Sequence, residues 1–289
     1  MGGNALKTVG RIYKDEMSST YEVLREHLYQ ALGLVLGEYV LCGSMFVRES
    51  SGDIDIAFDI NIAMKRMQTD RNGITKRLND LYVTLPEYKY NKGFDIHSIP
   101  FPIFDKEGKR TDRYVQVDII PVENLMMARW GMETDGSVPW KSATRNGLLR
   151  AVAKHVDTQF YYGEDTNVAI YWDRYFYDKC HGLFKLRKSV EGKNGYILKT
   201  AKTISREFIT DKPWEIVNFL LGTQGLHSWL EINNVYDVWN IVKESPKFDL
   251  SRFRIVESFI TEMTRDGIDF PPEIKDWYEE QLEDGLNCK

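Results

Sequence analysis

The chain has 289 residues, 43% hydrophobic and 28% charged; 38 Lys and Arg face 43 Asp and Glu, giving a formal net charge of −5. That length holds about two domains, each able to bury a core without disulfides or a structural metal. The balance excludes wholesale disorder and a uniformly basic nucleic-acid packing protein, but not a local basic groove.

Cys42, Cys180 and Cys288 lie far apart. They form neither a disulfide framework nor a zinc site by themselves, as expected in a reducing compartment. No run approaches the ~18 apolar residues of a membrane span. The N-terminus has no apolar signal core, and Leu6 stands where a myristoylation motif after Gly2 needs Ser or Thr. A soluble cytoplasmic protein without membrane contact is expected.

Ser19-Thr20-Tyr21-Glu22 has the form of a helix capping box, and Leu24, Leu28, Ala31 and Leu32 follow at helical spacing. Gly33 and Gly37 end that run. A short apolar strand, 39–42, stops at Gly43-Ser44, and a polar loop runs from Met45 to Gly52. Ile54, Ile56 and Phe58 then alternate with Asp53, Asp55, Ala57 and Asp59, which predicts a strand with one apolar and one acidic face. Residues 62–84 carry a helical pattern through Ile74, Leu78 and Leu81. Residues 94–121 predict a β-hairpin. Its first arm, 94–104, contains Pro100 and Pro102 and is expected at a sheet edge. Lys106-Glu107-Gly108-Lys109 forms the turn and 114–120 the return strand.

After about residue 140 the β signals largely stop. Helices are expected over 143–156, 195–209, 213–221, 234–244, 250–265 and 272–284. The fold class is α+β: a mixed β-sheet domain over 1–140, then a helical domain over 141–289.

The chemistry concentrates in Gly43-Ser44, Asp53-x-Asp55 and Asp118. Asp53 and Asp55 project from one face of their strand. Two like charges so close call for a cation. Asp118 sits among Val115, Val117 and Ile119, so pairing of the two strands would complete a three-carboxylate cluster. Such oxygen donors suit Mg²⁺ or Mn²⁺, and two ions there could clamp the attacking and leaving oxygens of a phosphoryl transfer. Gly43 permits close backbone approach to a bulky anion. Ser44 offers a hydroxyl to a triphosphate, and Arg48, Ser50 and Ser51 in the same loop could add phosphate contacts.

These pieces resemble the DNA polymerase beta-like nucleotidyltransferase superfamily. The matching text is Leu41-Cys42-Gly43-Ser44, Gly52-Asp53-Ile54-Asp55-Ile56 and Val117-Asp118-Ile119, within roughly residues 15–125. The Met-Gly-Gly-Asn-Ala opening and the 52–57 stretch also resemble bacteriophage-type nucleotidyltransferases, for which the location would be the host cytoplasm. The resemblance implies a mixed sheet with helices on one side, two divalent ions and a nucleoside triphosphate donor. Asp53 and Asp55 would bind both ions, Asp118 the ion that activates the acceptor hydroxyl, and Ser44 the triphosphate. It also implies a Lys from the second domain on the triphosphate, with Lys185, Lys188, Lys199 and Lys202 as unranked candidates.

Plainer readings compete. Asp53 and Asp55 could line an ordinary wet strand face, as Asp59 is expected to. An EF-hand is excluded, because Phe58 and Met64 stand where its Gly and Glu belong. His97 could protonate a leaving group or be a satisfied strand histidine. Helix 143–156 could grip phosphates with Arg145, Arg150 and Lys154, or simply pack. The eight aromatics of 160–177 could stack on a base or fill the core.

Residues 181–212 hold eight Lys and Arg against three acids, net +5 in a chain of −5. Lys199, Lys202 and Arg206 are expected on one helix face there. The expected function is therefore metal-dependent transfer of an NMP from an NTP to an acceptor hydroxyl on RNA, tRNA among the candidates, with release of pyrophosphate, at a cleft between the domains. The alternatives are nucleotidylation of a small molecule or protein side chain, and a non-catalytic nucleotide-binding module.

Overall fold

The computed structural model describes residues 5–43, 45–93, 95–133, 136–156, 158–162, 169–193, 196–197, 201–223 and 231–287. The chain divides into two compact units, Met1–Ser137 and Val138–Lys289. Among the described residues, no helix is long and apolar enough to cross a membrane.

The first unit contains β1 (Ile12–Tyr13), α1 (Lys14–Leu32), β2 (Tyr39–Cys42), β3 (Ser50–Ser51), β4 (Asp53–Asp59), α2 (Ile60–Met67), α3 (Arg71–Tyr82), β5 (Lys89–Asn91), β6 (Ile96–Phe104), β7 (Arg110–Val122) and α4 (Leu125–Met132). Its main sheet has the order β2-β4-β7-β6-β5. β4 and β7 run parallel and the other neighbours antiparallel, so the sheet is mixed. Period-two side chains decide its two faces. Ile54, Ile56 and Phe58 of β4 and Val115, Val117 and Ile119 of β7 join one buried core with Leu24, Leu28 and Leu32 of α1 and Ile74, Leu78 and Tyr82 of α3. The acidic positions face the other way.

Several local expectations change. α1 begins at Lys14, ahead of the expected box at Ser19. The Glu16 carboxylate accepts the Tyr13 N–H at 3.0 Å, so Glu16 rather than Glu22 serves the helix start. Gly33 does end α1, at φ 68°. The helical stretch 62–84 splits at Gln68, and Asp70 starts α3 by accepting the Gly73 N–H at 2.8 Å. Tyr82 takes the buried position that the pattern gave to Leu81. The hairpin turn is tied by Asp105, whose Oδ1 accepts from Glu107 and Lys109 N–H. β6 is not an edge strand along its whole length: β5 pairs with Ile96–Ser98, leaving Pro100 and Pro102 beyond the last paired residue, where their missing N–H costs nothing.

The second unit contains α5 (Ser142–His155), β8 (Gln159–Tyr162), β9 (Ala169–Asp178), β10 (Gly182–Lys193), β11 (Tyr196–Ile197), β12 (Lys202–Thr210), α6 (Pro213–Leu221), α7 (Val235–Glu244), α8 (Arg252–Asp266) and α9 (Pro272–Asn287). The helices at 143–156, 213–221, 234–244, 250–265 and 272–284 match expectation. The helix over 195–209 does not: Lys202–Thr210 is a strand paired antiparallel with β10. Thr203, Ile204, Ile209 and Thr210 are β-branched, and pairing with β10 settles a pattern that fits either period. A five-stranded sheet, β8 to β12, therefore precedes the helices α6–α9. α5 packs on it: the Tyr177 hydroxyl donates to Asn146 Oδ1 at 3.2 Å.

His97 is fully buried on the core face of β6, opposite Ile119. Its ring stacks between Tyr88 and Tyr90, and Nδ1 lies 2.8 Å from the Tyr88 hydroxyl. Burial pushes its pKa down to about 4. His155 is also pushed down to about 4, by burial and then by Lys154, Arg254 and Arg174. An unfolded chain takes up these protons near pH 6.5 while the folded chain refuses them until about pH 4. Their stabilisation is thus complete above pH 6.5 and is lost as pH falls toward 4. The melting temperature should hold steady from pH 8 to 7 and fall between 6.5 and 4.5. His97→Leu should flatten that slope, and an unchanged slope would contradict this assignment.

Candidate active site

The register of β4 on β7 places Asp55 opposite Asp118. Asp53 lies two residues before Asp55 on the same face. One carboxylate oxygen from each of Asp53, Asp55 and Asp118 lies within 4.8 Å of the others. Asp53 and Asp118 are buried, at 8% and 7% exposure, and Asp55 is half-buried. At an effective dielectric of about 20, two ionised carboxylates at that spacing repel by roughly 3 kcal/mol.

The protein answers only part of that repulsion. Asp118 Oδ1 accepts from Ser98 Oγ at 2.6 Å and from Gln116 Nε2 at 2.9 Å, and Gln116 Nε2 also reaches Asp118 Oδ2 at 3.1 Å. Ser51 Oγ is 3.5 Å from Asp53 Oδ1. Asp53 Oδ2 is buried and has no hydrogen-bond partner among the described residues. A buried carboxylate oxygen without a partner is costly unless a cation serves it. Three carboxylates that bring hard oxygen donors within 4.8 Å of one another, with a buried Asp53 oxygen left without a hydrogen bond, fit a divalent ion of the Mg²⁺ or Mn²⁺ kind.

Gly43 makes room for the Asp55 carboxylate. At φ +76°, a Cβ built on it would stand 2.5 Å from Asp55 Oδ2, so the missing side chain is the room that the carboxylate occupies. Its N–H donates to the Met132 carbonyl at 3.2 Å. Ser44 lies outside the described residues. Arg48 is half-buried on the bend between β2 and β3. Ser50 Oγ accepts from Arg11 Nε at 3.0 Å, and Ser51 is buried beside Asp53.

The described candidate lysines, Lys185, Lys188 and Lys202, do not converge with one another. Lys185 pairs with Asp173 at 3.3 Å, while Lys188, an odd number of residues later on β10, faces the other side of the sheet. Lys202 is exposed at the start of β12, and Lys199 lies outside the described residues. In α5 the packing reading prevails. Arg145 is buried and donates to the Ile232 and Asn233 carbonyls at 3.2 and 3.0 Å; Arg150 pairs with Glu262, and Lys154 donates to Ser258 Oγ. Asp59 caps α2 by accepting from Asn61 and Ile62 N–H.

Sequence reasoning missed Ser98 and Gln116. Ser98 is the cross-strand partner of Asp118 on β6, which only the register reveals. Gln116 is 1% exposed, and its Oε1 accepts the backbone N–H groups of Ala5 and Leu6 at 3.0 and 3.1 Å. Those two donors fix the amide so that Nε2 points at Asp118. A polar residue two before a candidate ligand on one strand was the available signal.

Gly43→Ala should cost about 1–2 kcal/mol, from strain at positive φ and displacement of the Asp55 carboxylate. Urea denaturation would measure it, and a loss under about 0.3 kcal/mol would show that Asp55 does not need that space. Gln116→Leu should destabilise by about 1–3 kcal/mol, because the Ala5 and Leu6 N–H groups lose their acceptor and Asp118 loses the Gln116 amide.

No protein-family model matches the chain, and no curated protein matches it. Among solved structures, the chain is similar to polymerase beta of Leishmania infantum in a ternary P/T complex. The identity is 15%, 74% of each chain is covered, and the TM-score is 0.37.

Proposed function

We propose that this chain is a metal-dependent nucleotidyltransferase that moves a nucleoside monophosphate from an NTP to a hydroxyl of an RNA acceptor. The observation that carries this reading is the clustering of Asp53, Asp55 and Asp118, whose carboxylate oxygens come within 4.8 Å of one another, with Asp53 Oδ2 buried and without a hydrogen-bond partner among the described residues. In the proposed reaction the acceptor oxygen bonds to the α-phosphorus. The bond from that phosphorus to the bridging oxygen breaks, pyrophosphate leaves with the electron pair, and the acceptor proton passes to solvent. Bound divalent ions supply neutralisation of the phosphate oxygens and a more acidic acceptor hydroxyl.

The chain's own part is positioning. Asp53 and Asp55 are assigned to both ions and Asp118 to the acceptor side. Ser98 and Gln116 hold Asp118 in one orientation, which favours a fixed coordination geometry. Gly43, Ser44 and Arg48 are assigned to the triphosphate. Lys185, Lys188, Lys199 and Lys202 remain candidates for it from the second unit. The +5 balance of residues 181–212 supports a polyanionic acceptor such as RNA.

The test is transfer of α-labelled ATP, CTP, GTP and UTP, with Mg²⁺ or Mn²⁺, to total RNA, whole-cell protein and a metabolite extract. Label should enter RNA, and Asp118→Asn should reduce it by roughly 10³-fold with the fold intact by circular dichroism. Label confined to protein or small molecules would replace the RNA acceptor with another. Full activity in Asp53→Ala would contradict the site itself.

A further inference from the structure

We propose that the outward face of the β9–β10–β12 sheet binds single-stranded nucleic acid, with Arg206 and Lys188 meeting phosphates and Phe208 offering its ring to a base. The assignment rests on the reading above for its role as acceptor binding, but it makes a claim about binding alone.

Alternation separates the two faces of this sheet. Tyr175 and Tyr177 of β9 turn toward the helices: the Tyr175 ring meets Phe219 of α6 edge-on at 4.6 Å, and Tyr177 bonds Asn146 of α5. Trp172, Arg174 and Phe176 point the other way. Across the register, Phe176 pairs with Phe184 and Trp172 with Lys188, while Phe184 pairs with Phe208 and Leu186 with Arg206. The outward face is therefore an interleaving of cations and rings.

Asp173 and Glu207 alternate onto the opposite face, where Asp173 meets Lys185 at 3.3 Å and Arg187 at 2.8 Å. Asp178, at the end of β9, shares the parity of Arg174 and Phe176 but is taken up by the Cys180 and His181 N–H groups. Lys188 and Arg206 make no ion pair among the described residues, and Arg174 Nε is buried without a hydrogen-bond partner. Burial, and then neighbouring Arg174, hold the Lys188 ammonium below the usual lysine range. Cations without an acidic partner among the described residues fit an anionic ligand.

The aromatic geometry adds a preference for bases over free phosphate. The Arg206 guanidinium lies 3.6 Å from the Phe184 ring centroid, which leaves the fork of N–H donors available to a phosphate. Phe208 packs edge-on against Phe184 at 5.6 Å and is still 55% exposed. β12 is exposed from Lys202 to Phe208. Such a ring beside an exposed cation is what an unpaired base and its phosphate would use. A second copy of the chain is a poorer occupant, because a two-fold contact would bring identical positive faces together.

The test is fluorescence anisotropy of labelled 15-nucleotide single-stranded RNA and DNA against the full chain at low and moderate salt. Binding should weaken steeply with salt, and a Lys188→Glu and Arg206→Glu double variant should bind at least about tenfold more weakly. Phe208→Ala should weaken binding at least about fivefold. Ser205→Glu, on the same strand but the opposite face, should stay within about twofold of the parent. Asp53→Asn should bind normally, which separates this claim from the catalytic one. The proposal is overturned if the parent chain does not bind, if Ser205→Glu and Arg206→Glu weaken it alike, or if the face variants change only the mass in light scattering.

Discussion

Parallel pairing of β4 with β7, in the one register that sets Asp55 beside Asp118, is the constraint on which the site depends. A slip of one residue would bring Val117 or Ile119 opposite Asp55 and turn Asp118 into the core. The register is held from the other face, where Ile54, Ile56, Val117 and Ile119 are fully buried against α1 and α3. Apolar burial on one side thus brings together charges on the other that repel. The Gln116 amide, fixed by the Ala5 and Leu6 N–H groups, absorbs part of the cost at Asp118. Gly43 yields space to Asp55. Nothing among the described residues serves Asp53 Oδ2, and that deficit is what gives the cluster a chemical meaning.

The carboxylate cluster was legible in the sequence because its determinants are local and periodic. Ile54, Ile56 and Phe58 state the period of β4, and a strand of that period leaves Asp53 and Asp55 on one face whatever the strand pairs with. Asp118 was legible for the same reason on β7. Ser98 and Gln116 were not, since their value lies in a cross-strand register and in a contact over a hundred residues away. The start of α1 was misplaced because Ser19-x-x-Glu22 imitates a cap inside a helix that Glu16 begins.

The second unit was harder to read for a physical reason. Lys202–Thr210 has apolar residues that satisfy either a helical or a strand period, and pairing with β10 decides. The aromatics at 171–177 flank Asp173 and Arg174 without alternating, so the run states no period and pairing with β8 and β10 decides. Placing Lys202 and Arg206 on a strand rather than a helix changes which residues they accompany: Arg206 lies over Phe184, and Lys188 is across from Trp172. The basic stretch thereby separates into a face where Lys185 and Arg187 pair with Asp173 and a face that carries Lys188 and Arg206.

The central claim is that Asp53, Asp55 and Asp118 form a cation site. The most direct measurement is anomalous diffraction from crystals grown with Mn²⁺ and a non-hydrolysable NTP analogue. The account predicts a Mn²⁺ peak coordinated by oxygens of all three aspartates, with Asp53 Oδ2 among the ligands. A saturated crystal with no peak at these residues, or with Mn²⁺ bound only elsewhere, would contradict it.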